Sequence, residues 1–124
     1  MGGRLPVKFR LSGEAHSGIS VMDALDRVRL SQGRPYMLHD MSPDHFGKIT
    51  LKVRWNGYHS NTYSIPLSTD HLGYLDSQSL ARRTARAIAH FMQNNHILLT
   101  WDRVVIHRLE ETRPGIWIPV LTTH

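Results

Sequence analysis

The chain of 124 residues contains no cysteine, which excludes a disulfide framework, a thiolate metal site and a cysteine nucleophile. It has no internal repeat, and no uninterrupted apolar run approaches the roughly 18 residues of a membrane span. The first ten residues lack the apolar core that a secretory signal needs. We therefore expect an intracellular protein, cytoplasmic or nuclear, that makes no contact with a membrane.

The chain does contain enough apolar material for a core. Hydrophobic residues make up 40% of the sequence and charged residues 20%, and this composition excludes disorder as a description of the whole chain. A chain of this length buries about two-thirds of the surface that its unfolded form exposes. We predict a single globular domain over residues 1–124, with a flexible start at residues 1–5.

The protein is basic, because 15 Lys and Arg residues against 10 Asp and Glu residues give a net charge of +5. Its sequence pI is near 10.1. Only Lys8, Lys48 and Lys52 are lysines. The other positive residues are arginines, whose planar guanidinium groups suit carboxylate and phosphate partners. A charge of this size is also ordinary for a small soluble domain, so the composition alone does not choose a partner.

The first third of the chain predicts a strand, a short helix and a long loop. Apolar and polar residues alternate over residues 7–11, which is typical of a half-buried strand. Ser20 is a suitable N-cap for a helix over residues 20–30. Residues 33–47 are rich in turn formers and are expected to form a long loop, with a short strand around residues 36–38 as an option.

The middle of the chain predicts a β-hairpin. Residues 48–55 alternate between apolar and polar side chains, and Asn56-Gly57 is a strong signal for a tight turn. A returning strand is expected over residues 58–67, with its register left open.

The second helix has the clearest pattern in the sequence. Asp76 or Ser77 can cap it, and it is expected to run to about residue 94, with its apolar residues in one continuous arc. The predicted buried residues are Leu80, Thr84, Ile88 and Phe91, and the predicted exposed residues are Arg82, Arg86 and Gln93.

The last third predicts strands at residues 103–109 and 116–121, joined by a turn at 111–115. Pro66 and Pro119 lie inside strand patterns, and because proline has no N–H to donate, both are expected at edges, bulges or strand ends. The order of elements predicts an α+β fold of two layers. In this fold two helices pack on one face of a mostly antiparallel sheet of about five strands.

Part of the chain resembles a known group of proteins. The string ITLKVRWNGY at residues 49–58 is followed by Ile65-Pro66, the helix pattern LARRTARAI at 80–88 and Phe91. This pattern resembles uncharacterised proteins of mushroom-forming (basidiomycete) fungi, in which a proline usually replaces Asn56. The resemblance covers roughly residues 48–93 and implies a fungal source and a shared fold. It implies no activity, cofactor or catalytic residue.

The sequence does not predict a metal or a cofactor. There are nine histidines, but their spacing matches no common ligand motif. A cluster could form only if the loop that contains His39, Asp40, Asp44 and His45 folds tightly.

No catalytic residue is predicted either. The sequence has no nucleophile elbow and no glycine-rich phosphate motif. The nearest carboxylate candidates are Asp70, next to His71, and the adjacent pair Glu110 and Glu111. A small enzyme of unrecognised type stays as a second alternative.

The leading hypothesis is a non-catalytic module for protein interaction or self-assembly. The C-terminal strand is strongly apolar, and if it lies at an edge of the sheet it can pair across a two-fold axis to form a homodimer. Trp117 is the expected anchor, because tryptophan is enriched among interface hot spots. The interface candidates are Ile116, Trp117, Ile118 and Leu121. The same residues could instead complete the core of the monomer.

The first alternative is nucleic-acid binding on the face of the sheet that the helices leave open. A basic and polar sheet face can follow a phosphate backbone. The candidate residues are Lys8, Arg10, Lys48, Lys52 and Arg54.

Overall fold

The computed structural model describes residues 6–31 and 36–124. The strands are β1 (Val7–Lys8), β2 (Ile19–Ser20), β3 (Lys48–Val53), β4 (Asn61–Pro66), β5 (Val104–Arg113) and β6 (Ile116–Thr123). The helices are α1 (Val21–Leu25) and α2 (Ser77–Asn94), with 3₁₀ turns at Leu38–Met41 and Trp101–Arg103. The flexible start predicted for residues 1–5 and the first part of the predicted loop, residues 33–35, lie outside the described residues.

The strands form one mostly antiparallel sheet in the order β1-β5-β6-β3-β4, and β2 also pairs with β5. The exception is the parallel contact between β3 and β6, which consists of Thr50 opposite Ile116 and Leu51 opposite Trp117. Both helices pack on one face of this sheet. The predicted α+β class is therefore confirmed.

Alternation along β3 explains which face is covered. Ile49, Leu51 and Val53 are buried against the helices, while Lys48 and Lys52 point to the opposite face. The strand ends at residue 53, two residues before the predicted end, and β4 starts only at residue 61. The residues between form a longer connection than the predicted hairpin turn.

The helix α2 begins and ends where the sequence predicts. The Asp76 side chain caps it by accepting the Ser79 N–H at 3.2 Å, and its last residue is Asn94. The predicted buried residues are all buried. Arg86 and Gln93 are exposed as predicted, whereas Arg82 is half-buried.

The helix α1 is shorter than predicted. Ser20 caps it as expected, since its hydroxyl accepts the Asp23 N–H at 3.0 Å. The helix then stops at Leu25 because Arg27 adopts a φ of 60° and the Val28 N–H returns to the Asp23 carbonyl at 3.0 Å. These are the features of a Schellman motif, which ends a helix. Val28, which lies beyond this end of the helix, is consequently exposed.

The C-terminal strand is paired on both sides at Ile116 and Trp117, which corrects the edge position on which the dimer hypothesis depended. β6 lies between β5 and β3, and the Trp117 side chain is only 1% exposed. Its indole N–H donates to the Met41 carbonyl at 2.9 Å. The position of the strand could not be predicted, because its partner strands lie in distant parts of the chain. Local periodicity carries no information about which strands pair.

The two prolines inside strands lie where ladder hydrogen bonds end. Pro66 is the last residue of β4, the outermost strand. Just before β6, the Gly115 carbonyl accepts the Thr50 N–H at 2.8 Å. Because backbone groups point to alternate sides along a strand, those of Trp117 and Pro119 also point toward β3. Pro119 has no N–H, and the pairing of β6 with β3 stops after Trp117.

Candidate functional site

Within the described residues, the outer edge of β4 carries unpaired backbone groups. The Leu67 N–H donates to the Gly47 carbonyl at 3.0 Å, and the register places Ile65 opposite Ile49. Because hydrogen-bonded pairs alternate in an antiparallel ladder, the odd residues of β4 face β3. The backbone N–H and C=O groups of Thr62 and Ser64 therefore point away from the sheet.

One end of this edge is closed by a helix side chain. Arg83 of α2 donates through Nη1 to the Pro66 carbonyl at 2.7 Å and to the Ser68 hydroxyl at 2.9 Å. The contact also supports the alternation, since the Pro66 carbonyl must point outward for Arg83 to reach it. The backbone groups of Thr62 and Ser64 have no such partner in the described part of the chain.

A groove of about 520 Å³ lies between this edge and α2. Its apolar floor comes from the small side chain of Ala87 on the helix and from Ile65 on the strand, both largely buried. The lining residues are Tyr63, Ser64, Ile65, Pro66, Arg83, Arg86, Ala87 and His90.

The other end of the groove is held by an aromatic contact. The Tyr63 hydroxyl and His90 Nδ1 share a hydrogen bond at 3.0 Å, and the two rings meet edge to face with centroids 5.6 Å apart. Since Arg83 contacts Pro66 and His90 contacts Tyr63, the helix runs antiparallel to the strand along the groove.

The helical wall is positively charged. Within Ser77–Asn94 there are three arginines and one histidine, and there is no Asp or Glu. Burial, followed by repulsion from Arg27, Arg86 and Arg83, lowers the pKa of Arg82 from its usual value. Arg82, Arg83 and Arg86 thus lie close to one another on this side of the molecule.

The predicted nucleic-acid residues fall into two groups. Lys8 lies on β1 and Lys48 and Lys52 on β3, and all three point away from the helices. Arg54 is exposed just beyond β3. Arg10 donates to the Ser31 hydroxyl at 2.9 Å, beside a second hollow of about 590 Å³ that Lys8 and His16 also line.

The two groups are separated by two strands, β5 and β6. The surface between them carries the ion pair of Arg108 and Glu110, with Nε and Oε2 at 2.7 Å, and half-buried apolar residues of β6. The basic residues therefore do not form one continuous patch.

The four interface candidates divide between the two faces of the sheet. Ile116 and Ile118 are half-buried on the open face, whereas Trp117 and Leu121 point to the core side. Trp117 completes the core of the monomer, which is the alternative that the sequence left open. Of the four interface candidates, Ile116 and Ile118 are the two that lie on the open face.

The candidate metal cluster is not assembled. His39 Nε2 lies 3.4 Å from Asp40 Oδ1, but Asp44 Oδ1 accepts the N–H groups of Phe46 and Lys48, both at 2.9 Å. Within residues 6–31 and 36–124, no group of three or more potential ligands could hold a metal ion.

The carboxylate candidates for catalysis serve local structure. Asp70 Oδ1 accepts the N–H groups of Leu72 and Tyr74 at 2.8 and 3.0 Å. Glu110 is paired with Arg108, and Glu111 accepts the Gly115 N–H at 3.0 Å.

The sequence did not predict the groove. Its periodicity places Arg83, Arg86 and His90 opposite the apolar arc of the helix and Tyr63 on the apolar face of its strand. Two signals were present: the spacing of three and then four residues places Arg83, Arg86 and His90 on one stripe of the helix, and the helix lacks any acidic residue. The nearby strand edge had no signal in the sequence.

Among the helices of the described residues, none has the length and apolar character to cross a membrane.

Comparison with known proteins identifies a family without an assigned activity. Comparison with curated proteins finds no match, and comparison with solved structures finds none. A family model described as "Domain of unknown function (DUF6741)" matches residues 1–123. The chain therefore belongs to the family defined by this domain, DUF6741.

Proposed function

We propose that this domain is a protein-binding module that takes up an extended peptide as an added strand on the free edge of β4. The observation that carries the proposal is the groove between this edge and α2. Addition of a peptide strand to an exposed sheet edge is a general mode of recognition, in which backbone hydrogen bonds supply affinity and side-chain pockets supply specificity.

The backbone groups at the edge have the spacing that an added strand needs. Thr62 and Ser64 are two residues apart, so their outward N–H and C=O groups repeat at about 6.6–6.8 Å. A peptide in extended conformation presents its own groups with the same repeat. The contact of Arg83 with the Pro66 carbonyl ends this row, which limits the added strand to a short segment.

Side chains of an added strand would alternate between the two faces of the sheet. One set would point into the groove, over Ala87 and Ile65 and beside the stripe formed by Arg83, Arg86 and His90. The other set would lie on the open face of the sheet, next to Thr62 and Ser64. The groove thus offers both the backbone contacts and a place where side chains are selected.

Selection from a display library of random peptides of about twelve residues, followed by titration of the selected peptides, tests the proposal. Ser64→Pro removes the outward N–H at a position where an edge strand tolerates proline, and we expect it to weaken binding by about tenfold or more. Ser64→Ala is the matched control, because it removes the hydroxyl and keeps the N–H, and it should bind like wild type.

Circular dichroism and thermal melting establish that both variants are folded. Equal binding by Ser64→Pro and Ser64→Ala, or the failure of the library to yield any binder, would show that the edge of β4 does not take up a peptide.

Nucleic-acid binding on the open face of the sheet is a second candidate function. The observation that favours it is that both helices pack on the opposite face, leaving Lys48, Lys52 and Arg54 on one side of an uncovered surface. Anisotropy titrations with mixed oligonucleotides should then show salt-dependent binding. Neutralising Lys52 and Arg54 together should reduce the salt dependence by about two phosphate contacts. Wild-type protein that does not bind at low salt would exclude this function.

The resemblance to proteins of mushroom-forming fungi concerns the source of the chain. It brings no activity with it, so both candidate functions stand on the geometry alone.

A further inference from the structure

We infer that the peptide bound at the β4 edge is acidic, with carboxylate side chains at the alternate positions that face α2. The inference rests on the proposed function, because it names the chemistry of the peptide that the same groove takes up. Three features of the groove support it: the sign of the charge on its helical wall, the donors that this wall leaves available, and their spacing.

The formal charges on the wall are those of the Arg83 and Arg86 guanidinium groups. Arg83, Arg86 and His90 line the groove, and none of the lining residues is Asp or Glu. The wider helix has no acidic residue either. A carboxylate placed in the groove would lie beside two guanidinium groups of opposite charge.

Hydrogen-bond donors remain available to a ligand. Arg83 uses only Nη1 for its contacts with Pro66 and Ser68, and a guanidinium group has five N–H donors. Arg86 is exposed and forms no ion pair with a described residue. Guanidinium groups in this state favour carboxylates, which they can bind through two parallel hydrogen bonds.

Arg83, Arg86 and His90 form a row along the groove that side chains of an added strand can reach. With a rise of about 1.5 Å per residue, Arg83 and Arg86 are separated by about 4.5 Å along the helix axis and His90 by a further 6 Å or so. Side chains on one face of an added strand repeat every 6.6–6.8 Å or so. Two successive inward side chains therefore come within reach of this row of basic residues.

Other occupants fit the groove less well. A nucleic-acid backbone could pair with the arginines, but it would leave the N–H and C=O groups of Thr62 and Ser64 without strand partners. A second copy of this chain could supply such partners through its own β4. That strand, Asn61–Pro66, has no acidic residue, and the pairing would bring two positive walls together.

The test uses four capped peptides of about nine residues, measured by fluorescence anisotropy with the full chain at low ionic strength. The first alternates Glu with Val, and the second and third carry Gln or Lys in place of Glu. The fourth is the Glu peptide with alternate backbone nitrogens methylated, which removes its strand hydrogen bonds. We expect the Glu peptide to bind about tenfold or more tightly than the Gln peptide, and the Lys peptide and the methylated peptide to bind weakest.

Two variants localise the effect. Arg86→Ala should weaken binding of the Glu peptide and leave binding of the Gln peptide unchanged. Arg113→Ala is the matched control, because it removes an exposed arginine at the end of β5 that does not line the groove, and it should change neither.

The outcomes separate this inference from the proposed function. Equal binding of the Glu and Gln peptides, with loss of binding on methylation, would overturn the acidic preference and leave strand addition intact. Equal binding of the Glu peptide and its methylated form would overturn both, because binding would then need no strand pairing. Absence of binding by every peptide at about millimolar concentration would also overturn both.

Discussion

At the scale of single residues, several side chains that suggest chemistry in the sequence serve the backbone instead. Asp44 and Asp70 each accept two backbone N–H groups within a turn. Aspartate is common both in turns, for this reason, and in active sites. Residue type alone therefore could not separate the two roles, and the structure was needed to do so.

The turn at Asp44 should make stability depend on pH. The backbone hydrogen bond from Lys48 is the leading cause that holds the pKa of this carboxyl below its ordinary value of 3.8. The ionised form is thus favoured in the folded state. Its contribution to stability is complete above pH 3.8 and is lost as the pH falls through the lowered folded-state pKa.

We expect Asp44→Ala to lower the free energy of unfolding at neutral pH, and the difference from wild type to shrink at acid pH below the ordinary pKa. Urea titrations over a range of pH measure this. Asp44→Asn keeps an acceptor oxygen without the charge, so its deficit should be smaller. A difference between wild type and Asp44→Ala that is constant down to the most acid pH would contradict the assignment.

Trp117 has a different role from the one that the sequence predicted. In the core, Trp117→Phe leaves a cavity and removes the donor to the Met41 carbonyl, so we expect a loss of about 2–4 kcal/mol in the free energy of unfolding. Trp101→Phe is the control, because Trp101 is only half-buried, and it should cost less. Denaturant unfolding compares the two, and sedimentation reports the oligomeric state. A Trp117→Phe protein of unchanged stability but lower mass would restore the interface hypothesis.

At the scale of elements, local signals predicted α2 well and α1 only in part. The boundaries of α2 follow from the cap at Asp76 and from a periodicity sustained over 18 residues. The early end of α1 depends on Arg27 in a left-handed conformation, a position where glycine is the usual residue. Because no glycine marks the end, the sequence could not show that the helix stops there.

The β4 edge permits a prediction about alternate residues. The N–H groups of Tyr63 and Ile65 face β3, and those of Thr62 and Ser64 face outward. We expect the Thr62 and Ser64 amides to exchange with solvent faster than the other two by about two orders of magnitude, as measured by NMR. Binding of the Glu peptide should slow the two fast amides selectively. Similar rates for all four amides would mean that the register is wrong.

At the scale of the whole molecule, the structural features that the sequence could not predict are formed by segments far apart in the chain. The groove joins residues 61–66 to residues 83–90, and the seam of the sheet joins β3 to β6 through only two residue pairs. The predicted class of fold needed only the kinds and order of elements. The strand order, and with it the exposed edge, depends on pairings between segments far apart in the chain.

Gly115 lies at this seam and permits a test of how the parts cooperate. Its φ is +80°, and a Cβ built there would lie 2.8 Å from the Ser42 carbonyl oxygen, on the loop that also holds Met41 against Trp117. Gly115→Ala thus combines backbone strain with a clash, and we expect it to cost about 3 kcal/mol or more. Gly57→Ala is the matched control: its φ is +90° with no atom within 4 Å, so strain alone should cost about 1–2 kcal/mol.

The buried side chains form one cluster that includes residues from α2 and from both sides of the seam. Damage at Gly115 should therefore lower the stability of the whole domain. Far-UV circular dichroism, which follows α2, and tryptophan fluorescence should report coincident unfolding transitions for Gly115→Ala and for wild type. Equal losses of unfolding free energy for Gly115→Ala and Gly57→Ala would mean that the Ser42 carbonyl does not clash with the added methyl group. Separate transitions would mean that the two sides of the sheet unfold independently. The two residue pairs between β3 and β6, together with the packing of α2, would then be too weak to couple the two sides.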